Sequence, residues 1–275
     1  MSTEDRTTSS AEPGAPGSEP GDAGVRAAVV TEVGGSVGWG IAQTLAGLGY
    51  AVHVTDLDGR LAARAAAQLG DPCFGSALDV RSLPACRAAA SRTRRRFGSL
   101  GVWANAAPMP ESGPAWELDE RSRQQVLDRV LVGTINGTLA ALEVMRPTGK
   151  GDVINVIELS ALVSRAGQAV YSAAQQGALA FSHGTLADLR AAGLREVNVS
   201  CLCPTRRLAG NRGRLESALV DLLEHPRPVM AVPRWRGALV RARPLWPSGA
   251  LGSGLLSALA DPTRPGRRSG RSQSD

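Results

Sequence analysis

Short apolar runs alternate with longer amphipathic segments along most of the chain. The apolar runs are rich in Val, Ile and Ala and predict buried strands at 27–31, 50–55, 74–78, 100–104, 153–157, 197–202 and 229–232. Segments of helical periodicity lie between them, at 38–48, 61–69, 85–97, 117–145, 169–189 and 215–223. Because strands that alternate with helices indicate βαβ units, we expect an α/β fold. The expected form is a doubly wound parallel sheet of about seven strands, with helices on both faces, in a single domain.

The two ends of the chain differ in composition from its centre. Residues 1–24 are rich in Ser, Thr, Pro, Gly and acids and predict a disordered tail without a signal peptide. The folded domain is expected at 25–237, an amphipathic segment at 238–260 and a disordered basic tail at 261–275. The Trp-containing stretch 235–259 suits either a lid packed on the core or peripheral contact with a membrane. No apolar run is long enough for a transmembrane helix.

Charge and cysteine content narrow the classes of partner. The net charge is +6, and the chain from Arg206 onward carries thirteen Arg against five acidic residues. This excess suits either an acidic partner or a solvated Arg-rich surface, and no nucleic acid is expected. The four cysteines have no metal or redox spacing, so we predict no metal site and a cytoplasmic location. Cys201 and Cys203 are two apart on one strand and are expected to be core residues on one face.

The stretch 152–181 holds the most informative chemistry. Its strand contains Asn155 and ends at Glu158, Tyr171 follows thirteen residues later, and Gln175 comes four residues after Tyr171. This resembles the short-chain dehydrogenase/reductase family, in which a strand ends Asn-x-Ser-Ser and Tyr-x-x-x-Lys follows at the same spacing. The resemblance implies the Rossmann-type form of the sheet and assigns catalytic positions to Tyr171, Glu158 and Gln175. The tyrosine is kept, whereas Glu158 and Gln175 stand where the family has Ser and Lys.

The missing lysine marks this chain as a degenerate member. In the family, tyrosine is the acid/base for hydride transfer and the lysine charge lowers the pKa of its phenol. A free tyrosine titrates near ~10, and the neutral amide of Gln175 cannot supply that charge. The one lysine of the chain, Lys150, precedes the strand at the end opposite Tyr171. Family members also carry an Asn three residues before the glycine equivalent to Gly133, and this chain has Val130 at that position.

The turn after the first strand resembles the family's Thr-Gly-x-x-x-Gly-x-Gly cofactor loop. Without gaps, the three glycine positions fall on Glu32, Ser36 and Gly38, so one glycine is kept. A carboxylate at position 32 would repel each cofactor phosphate by roughly 2–3 kcal/mol. A shifted phase through Gly34, Gly38 and Gly40 restores the spacing but alters the helix register. Cofactor contacts are expected from Thr31, Gly34 and Gly38 by resemblance.

Further cofactor positions follow along the strands. Asp56 ends the second strand and suits the ribose acceptor of a dinucleotide. Asp56 and Asp58 also precede the next helix and suit its N-cap, and the two roles are compatible. By resemblance, Asp79 and Val80 contact adenine, Pro204 faces nicotinamide, and Asn105 binds cofactor or holds neighbouring strands. An acid at position 56 selects against a 2′-phosphate, so weak NAD binding is expected, and NADP less.

Three functions remain open from the sequence. The first is a weakly active or inactive family member with a binding or scaffold role. The second is an NAD-dependent oxidoreductase on a hydroxyl or carbonyl substrate, working through Tyr171. The third is a non-redox acid/base enzyme in which Glu158 and Tyr171 share a pocket. A homodimer or homotetramer built on the helices 117–145 and 169–190 is expected by resemblance.

Overall fold

A seven-stranded parallel sheet forms the centre of the protein. The computed structural model describes residues 25–107, 113–159, 166–205 and 212–232. The strands are β1 (Ala27–Val30), β2 (Ala51–Asp56), β3 (Phe74–Ala77), β4 (Val102–Asn105), β5 (Lys150–Val156), β6 (Glu196–Pro204) and β7 (Val229–Val232). Their order is β3-β2-β1-β4-β5-β6-β7, and every neighbouring pair is parallel. The predicted doubly wound α/β fold is therefore confirmed.

Helices cover both faces of the sheet. They are α1 (Ser36–Gly47), α2 (Gly59–Leu69), α3 (Leu83–Phe97), α4 (Glu120–Leu127), α5 (Gly133–Met145), α6 (Ala169–Ala191) and α7 (Arg212–Glu224). One core cluster joins the sheet to α1, α2 and α7, through residues such as Ile41, Ala65 and Leu219. A second joins it to α3, α5 and α6, through residues such as Cys86, Ala141 and Leu189. Cys201 and Cys203 share a third cluster, as their spacing predicted.

Capping side chains set the helix starts two residues earlier than the periodicity indicated. Asp58 accepts hydrogen bonds from the backbone N–H groups of Arg60 (2.8 Å) and Leu61 (3.2 Å), so α2 begins at Gly59. Ser82 likewise accepts from Ala85 N and starts α3 at Leu83. The expected N-cap is therefore confirmed at Asp58, while Asp56 makes no capping bond to α2.

The expected single helix over 117–145 is wrong in two respects. Asp119 accepts a hydrogen bond from Ser122 N at 2.6 Å and starts α4 at Glu120. A π-helical turn, Asp128–Val132, then separates α4 from α5. Such a turn holds one more residue than an α-helical turn and rotates the residues before it relative to those after it. It carries Arg129 and Val130, both of which face the site described below.

Several expectations fall outside the described residues. They are the tail 1–24, the end of the domain at 233–237, the segment 238–260, the tail 261–275 and the membrane contact through 235–259. Within the described part, no helix is both long enough and apolar enough to cross a membrane.

Candidate active site

The predicted site residues meet at one edge of the sheet. Parallel strands all end at the same edge, where loops bring together side chains that are distant in sequence. Each of six strands contributes there: Thr31 after β1, Asp56 on β2, Asp79 and Val80 after β3, Asn105 on β4, Glu158 after β5 and Pro204 on β6. Tyr171 and Gln175 reach the same region from the first turns of α6. Lys150 begins β5, so it lies at the opposite edge, as expected.

Tyr171 is the centre of a small hydrogen-bonded group. Its hydroxyl donates to Glu158 Oε2 at 3.3 Å and accepts from Gln175 Nε2 at 3.0 Å. The ring is buried and packs with Val130 and Ala174. The structure thus brings together the three residues predicted as catalytic. In these contacts the phenol meets a carboxylate and a neutral amide.

The polar floor of this site joins two strands to two helices. Asn105 Nδ2 donates to Asn155 Oδ1 at 2.8 Å, and Asn155 Nδ2 donates to Ser182 Oγ on α6, also at 2.8 Å. Thr138 on α5 contacts both asparagines at 3.3 Å. Asn105 also accepts from Trp103 Nε1 at 2.7 Å. The strand-holding role expected of Asn105 is confirmed, and the network fixes α5 and α6 against the sheet.

The β1–α1 turn adopts the ungapped phase. Glu32 has a backbone φ of 53°, in the left-handed region that favours glycine, at the position of the first family glycine. A Cβ on Gly38 would lie 2.7 Å from the carbonyl oxygen of Glu32, so the helix start requires glycine there. Gly34 N donates to Asp56 Oδ2 at 3.0 Å. The shifted phase through Gly40 is therefore not the one that the chain adopts.

A buried ion pair closes one side of this turn. Glu32 Oε1 accepts from Arg129 Nε, and 7% of the Glu32 side chain is exposed against 45% for Arg129. Burial raises the pKa of Glu32 to about 7, although Arg129 opposes the shift. The negative charges of Asp56 and Asp79 contribute to this rise. Arg129 was not among the predicted site residues; its local signal is the adjacent charged residues Asp128 and Arg129 within the otherwise apolar stretch 126–132.

The ion pair lies in the wall of a cavity of about 430 Å³. Aliphatic and polar side chains line it: Glu32, Leu57, Leu78, Asp79, Val80, Arg81, Leu118, Ser122, Gln125, Val126 and Arg129. Asp79 is paired with Arg81 at 2.7 Å, and hydrogen bonds from Arg81 hold the pKa of Asp79 below its usual value. Asp79 and Val80 thus line a cavity beside the β1–α1 turn, and their contact with adenine stays a prediction.

With Glu32 ionised, the turn does not fit a dinucleotide. The first glycine position carries a buried carboxylate, and the carboxylates of Asp56 and Asp79 raise the negative charge around it. A diphosphate would bring further anions to that place at a cost of roughly 2–3 kcal/mol each. Asp56 is also already bonded to the backbone N–H groups of Gly34 and Asp58. In the described part of the chain, no group of His, Cys, Asp and Glu side chains could hold a metal ion.

Comparison with known proteins agrees with this architecture. 1-Deoxy-11-beta-hydroxypentalenate dehydrogenase of Streptomyces exfoliatus is 31% identical over 212 residues, which cover 74% of this chain and 72% of that protein. Inactive 2-(S)-hydroxypropyl-CoM dehydrogenase 2 of Xanthobacter autotrophicus is 26% identical over 166 residues, covering 60% of this chain and 71% of that protein.

A crystal structure of a short chain dehydrogenase/reductase from Burkholderia phymatum, in complex with NAD, superimposes with a TM-score of 0.73 at 21% identity. That superposition covers 81% of this chain and 94% of the other. Residues 26–216 match the family model described as short chain dehydrogenase. The sheet order, the tyrosine on α6 and this match together show that the chain belongs to the short-chain dehydrogenase/reductase family.

Proposed function

We propose that this protein is a family member with weak or no hydride transfer, which acts as a binding or scaffold subunit. The observation that carries the proposal is the contact of Gln175 with Tyr171. The amide Nε2 donates to the tyrosine hydroxyl at 3.0 Å, at the position where the family has its lysine. This hydrogen bond holds the phenol in place but brings no positive charge to it.

Loss of that charge removes the family's means of activating tyrosine. A free tyrosine titrates near ~10, so at neutral pH almost none of it is a base. General acid–base catalysis typically contributes about 100- to 10,000-fold to a rate, so loss of the relay should slow hydride transfer by about that factor. Glu158, which replaces the serine, accepts a hydrogen bond from the Tyr171 hydroxyl rather than donating one to a substrate oxygen. A similar protein with the word inactive in its name supports such a loss within the family.

We also propose that NAD is bound weakly and in preference to NADP. Asp56 ends β2, where a carboxylate suits a ribose hydroxyl and repels a 2′-phosphate. Glu32 opposes the diphosphate of either dinucleotide. The proposal draws support from similar structures described as complexes with NAD and with NADH.

A second candidate function is non-redox acid/base chemistry, which the orientation of Tyr171 favours. Its hydroxyl donates to Glu158, so a carboxylate base and a phenol are joined by one hydrogen bond. Such a pair can take a proton from carbon and return one to oxygen without any cofactor. Here Glu158 would be the base and Tyr171 the proton donor.

The proposed function is tested by rebuilding the proton relay. The variant Glu158→Ser with Gln175→Lys restores the family's residues, and Glu32→Gly with Ser36→Gly restores the cofactor turn. The lysine would lie one helical turn beyond Tyr171, on its face of α6. We expect NADH oxidation, with a panel of small ketones and quinones, to be at least about 100-fold faster than in the wild type. Titration with NADH and NADPH measures binding in each protein.

The matched control replaces Gln175→Lys by Gln175→Met in the same fourfold variant. Methionine has a similar length and no charge, so that control should stay as slow as the wild type. Wild-type turnover equal to that of the rebuilt variant would contradict the proposal and favour an active NAD-dependent oxidoreductase. Cofactor-free turnover that Glu158→Gln abolishes would favour the acid/base candidate.

A further inference from the structure

We propose that the Glu32–Arg129 ion pair makes the cavity a proton-controlled anion site, which accepts a dinucleotide diphosphate when Glu32 is protonated and excludes it when Glu32 is ionised. The inference rests on the proposed function, because it names the control of the same weak NAD binding. Three features of the structure carry it: the unequal exposure of the two partners, the charges around Glu32 and the position of the pair in the cavity wall.

The two partners of the pair differ in their freedom to move. Glu32 is 7% exposed and belongs to the β1–α1 turn, with Gly38 packed against its carbonyl oxygen. Arg129 is 45% exposed, and its long side chain lies along the cavity. Protonation of Glu32 weakens the attraction to Arg129, and a guanidinium is a strong bidentate partner for phosphate. The arginine, rather than the carboxyl, is therefore the group that can turn toward a ligand.

The charged groups around Glu32 act on its carboxyl in two opposite senses. Asp56 on β2 and Asp79 after β3 face it with negative charge, and Arg129 is the cation bonded to it. Arg81, the other cation of the cavity wall, is paired with Asp79. On the π-helical turn, Asp128 beside Arg129 accepts a hydrogen bond from Gln124 at 2.7 Å. Ionised Glu32 thus lies near two like charges and neutralises Arg129, the cation of the described cavity wall that is not paired with Asp79.

Burial places the titration of Glu32 near neutral pH. Removal from water is the largest cause that raises its pKa to about 7, from an ordinary value of 4.5. Below that pH the carboxyl is neutral and Arg129 is available; above it, the carboxylate holds Arg129 and repels phosphate. The affinity for an anionic ligand should therefore rise as the pH falls through about 7.

Calorimetric titration with NAD measures this dependence directly. The diphosphate diester of NAD keeps its charge between about pH 5.5 and about pH 8.5, so the protein alone titrates. We expect a Kd that is flat below about pH 6 and increases roughly tenfold per unit above about pH 7. In Glu32→Gln, which cannot ionise, the Kd should stay near the acid-limit value throughout. Arg129→Gln should weaken binding at low pH by at least roughly tenfold.

The matched control is Glu196→Gln, which makes the same chemical change at an exposed residue on the opposite edge of the sheet. It should follow the wild-type profile. A carbon NMR titration of the Glu32 carboxyl, without NAD, should have its midpoint near 7; a midpoint near 4.5 would overturn the inference.

A flat pH profile in the wild type, or an unchanged slope in Glu32→Gln, would also overturn it. So would the absence of NAD binding in both proteins at every pH. A flat profile or an unchanged slope would leave the proposed function standing. Absence of NAD binding would also contradict the weak NAD binding proposed above, but not the loss of hydride transfer, which the rebuilt variant tests separately. Conversely, fast wild-type turnover would contradict the proposed function and leave the pH profile to decide this inference.

Discussion

Glu32 combines an unfavourable backbone with an unfavourable charge. A non-glycine residue at φ 53° costs about 1–3 kcal/mol, and its carboxylate is buried besides. Because its folded pKa lies above its ordinary 4.5, ionisation of Glu32 weakens the folded state as the pH rises toward about 7. Residues that carry such costs are found at functional sites more often than elsewhere, which directs attention to the cavity beside it.

The burial of His53 predicts that the free energy of unfolding decreases in acid. It is fully buried on β2, bonded to Thr93 Oγ1 at 2.8 Å and Ser76 Oγ at 2.7 Å, and stacked on Phe74. Burial lowers its pKa from 6.5 to about 3, and Arg92 adds to the shift. The unfolded chain binds a proton below about pH 6.5 and the folded one does not, so stability falls by up to ~1.4 kcal/mol per unit below that pH.

The variant His53→Gln should therefore lose less stability than the wild type when the pH falls from about 6 to about 4. Urea unfolding at each pH measures the difference. His225→Gln, at an exposed histidine, is the control and should parallel the wild type. A parallel curve for His53→Gln as well would show that His53 does not carry the acid sensitivity.

At the scale of elements, close backbone contacts decide which substitutions the sheet tolerates. Strand β3 packs under α2 so tightly that a Cβ on Gly75 would lie 2.2 Å from the carbonyl oxygen of Ala62. That oxygen belongs to helix backbone and cannot turn aside. Gly47, at the end of α1, has no atom within 4 Å of a built Cβ. Substitution of each glycine therefore distinguishes the effect of close packing, at Gly75, from that of glycine's conformational entropy, at Gly47.

Gly75→Ala should lower the free energy of unfolding by at least about 2 kcal/mol, because α2 must move away from β3. Gly47→Ala should raise it by between about 0 and 1 kcal/mol, since alanine is the better helix former. Denaturant unfolding of both variants beside the wild type is the measurement. Equal effects in the two variants would mean that the β3–α2 contact is not close-packed.

At the scale of the whole molecule, apolar side chains remain exposed on the segment that we expect to form an oligomer. Val132 and Leu139 are 36% and 38% exposed, on the π-helical turn and on α5. Helix α6 adds small exposed residues such as Ala173 and Ala180, which allow close approach of a second helix. These features support a proposed homodimer or homotetramer built on α5 and α6.

Sedimentation at micromolar concentration should therefore show a dimer or tetramer for the wild type. Leu139→Glu should shift the protein toward the monomer, because burying an unpaired carboxylate at an interface is costly. Val25→Glu makes the same change at another exposed apolar residue, 48% exposed beside β1, and should leave the assembly intact. A wild-type monomer would remove the proposal.

The sequence by itself determined the strands and their alternation with helices. Strand β7 begins and ends where the apolar run predicted it, at Val229–Val232, and Tyr171 and Gln175 face one group because they lie one helical turn apart. These features are local: a strand or a helix face depends on residues that are near in sequence. The same holds for the placement of Cys201 and Cys203 on one face of β6.

Tertiary structure alone decided the charge of the cofactor turn. Arg129 lies 97 residues after Glu32, and no periodicity connects them. The π-helical turn that carries Arg129 was likewise not predicted by the helical periodicity of 117–145. Ion pairing and burial follow from which segments meet at the sheet edge, and only the folded chain brings those segments together.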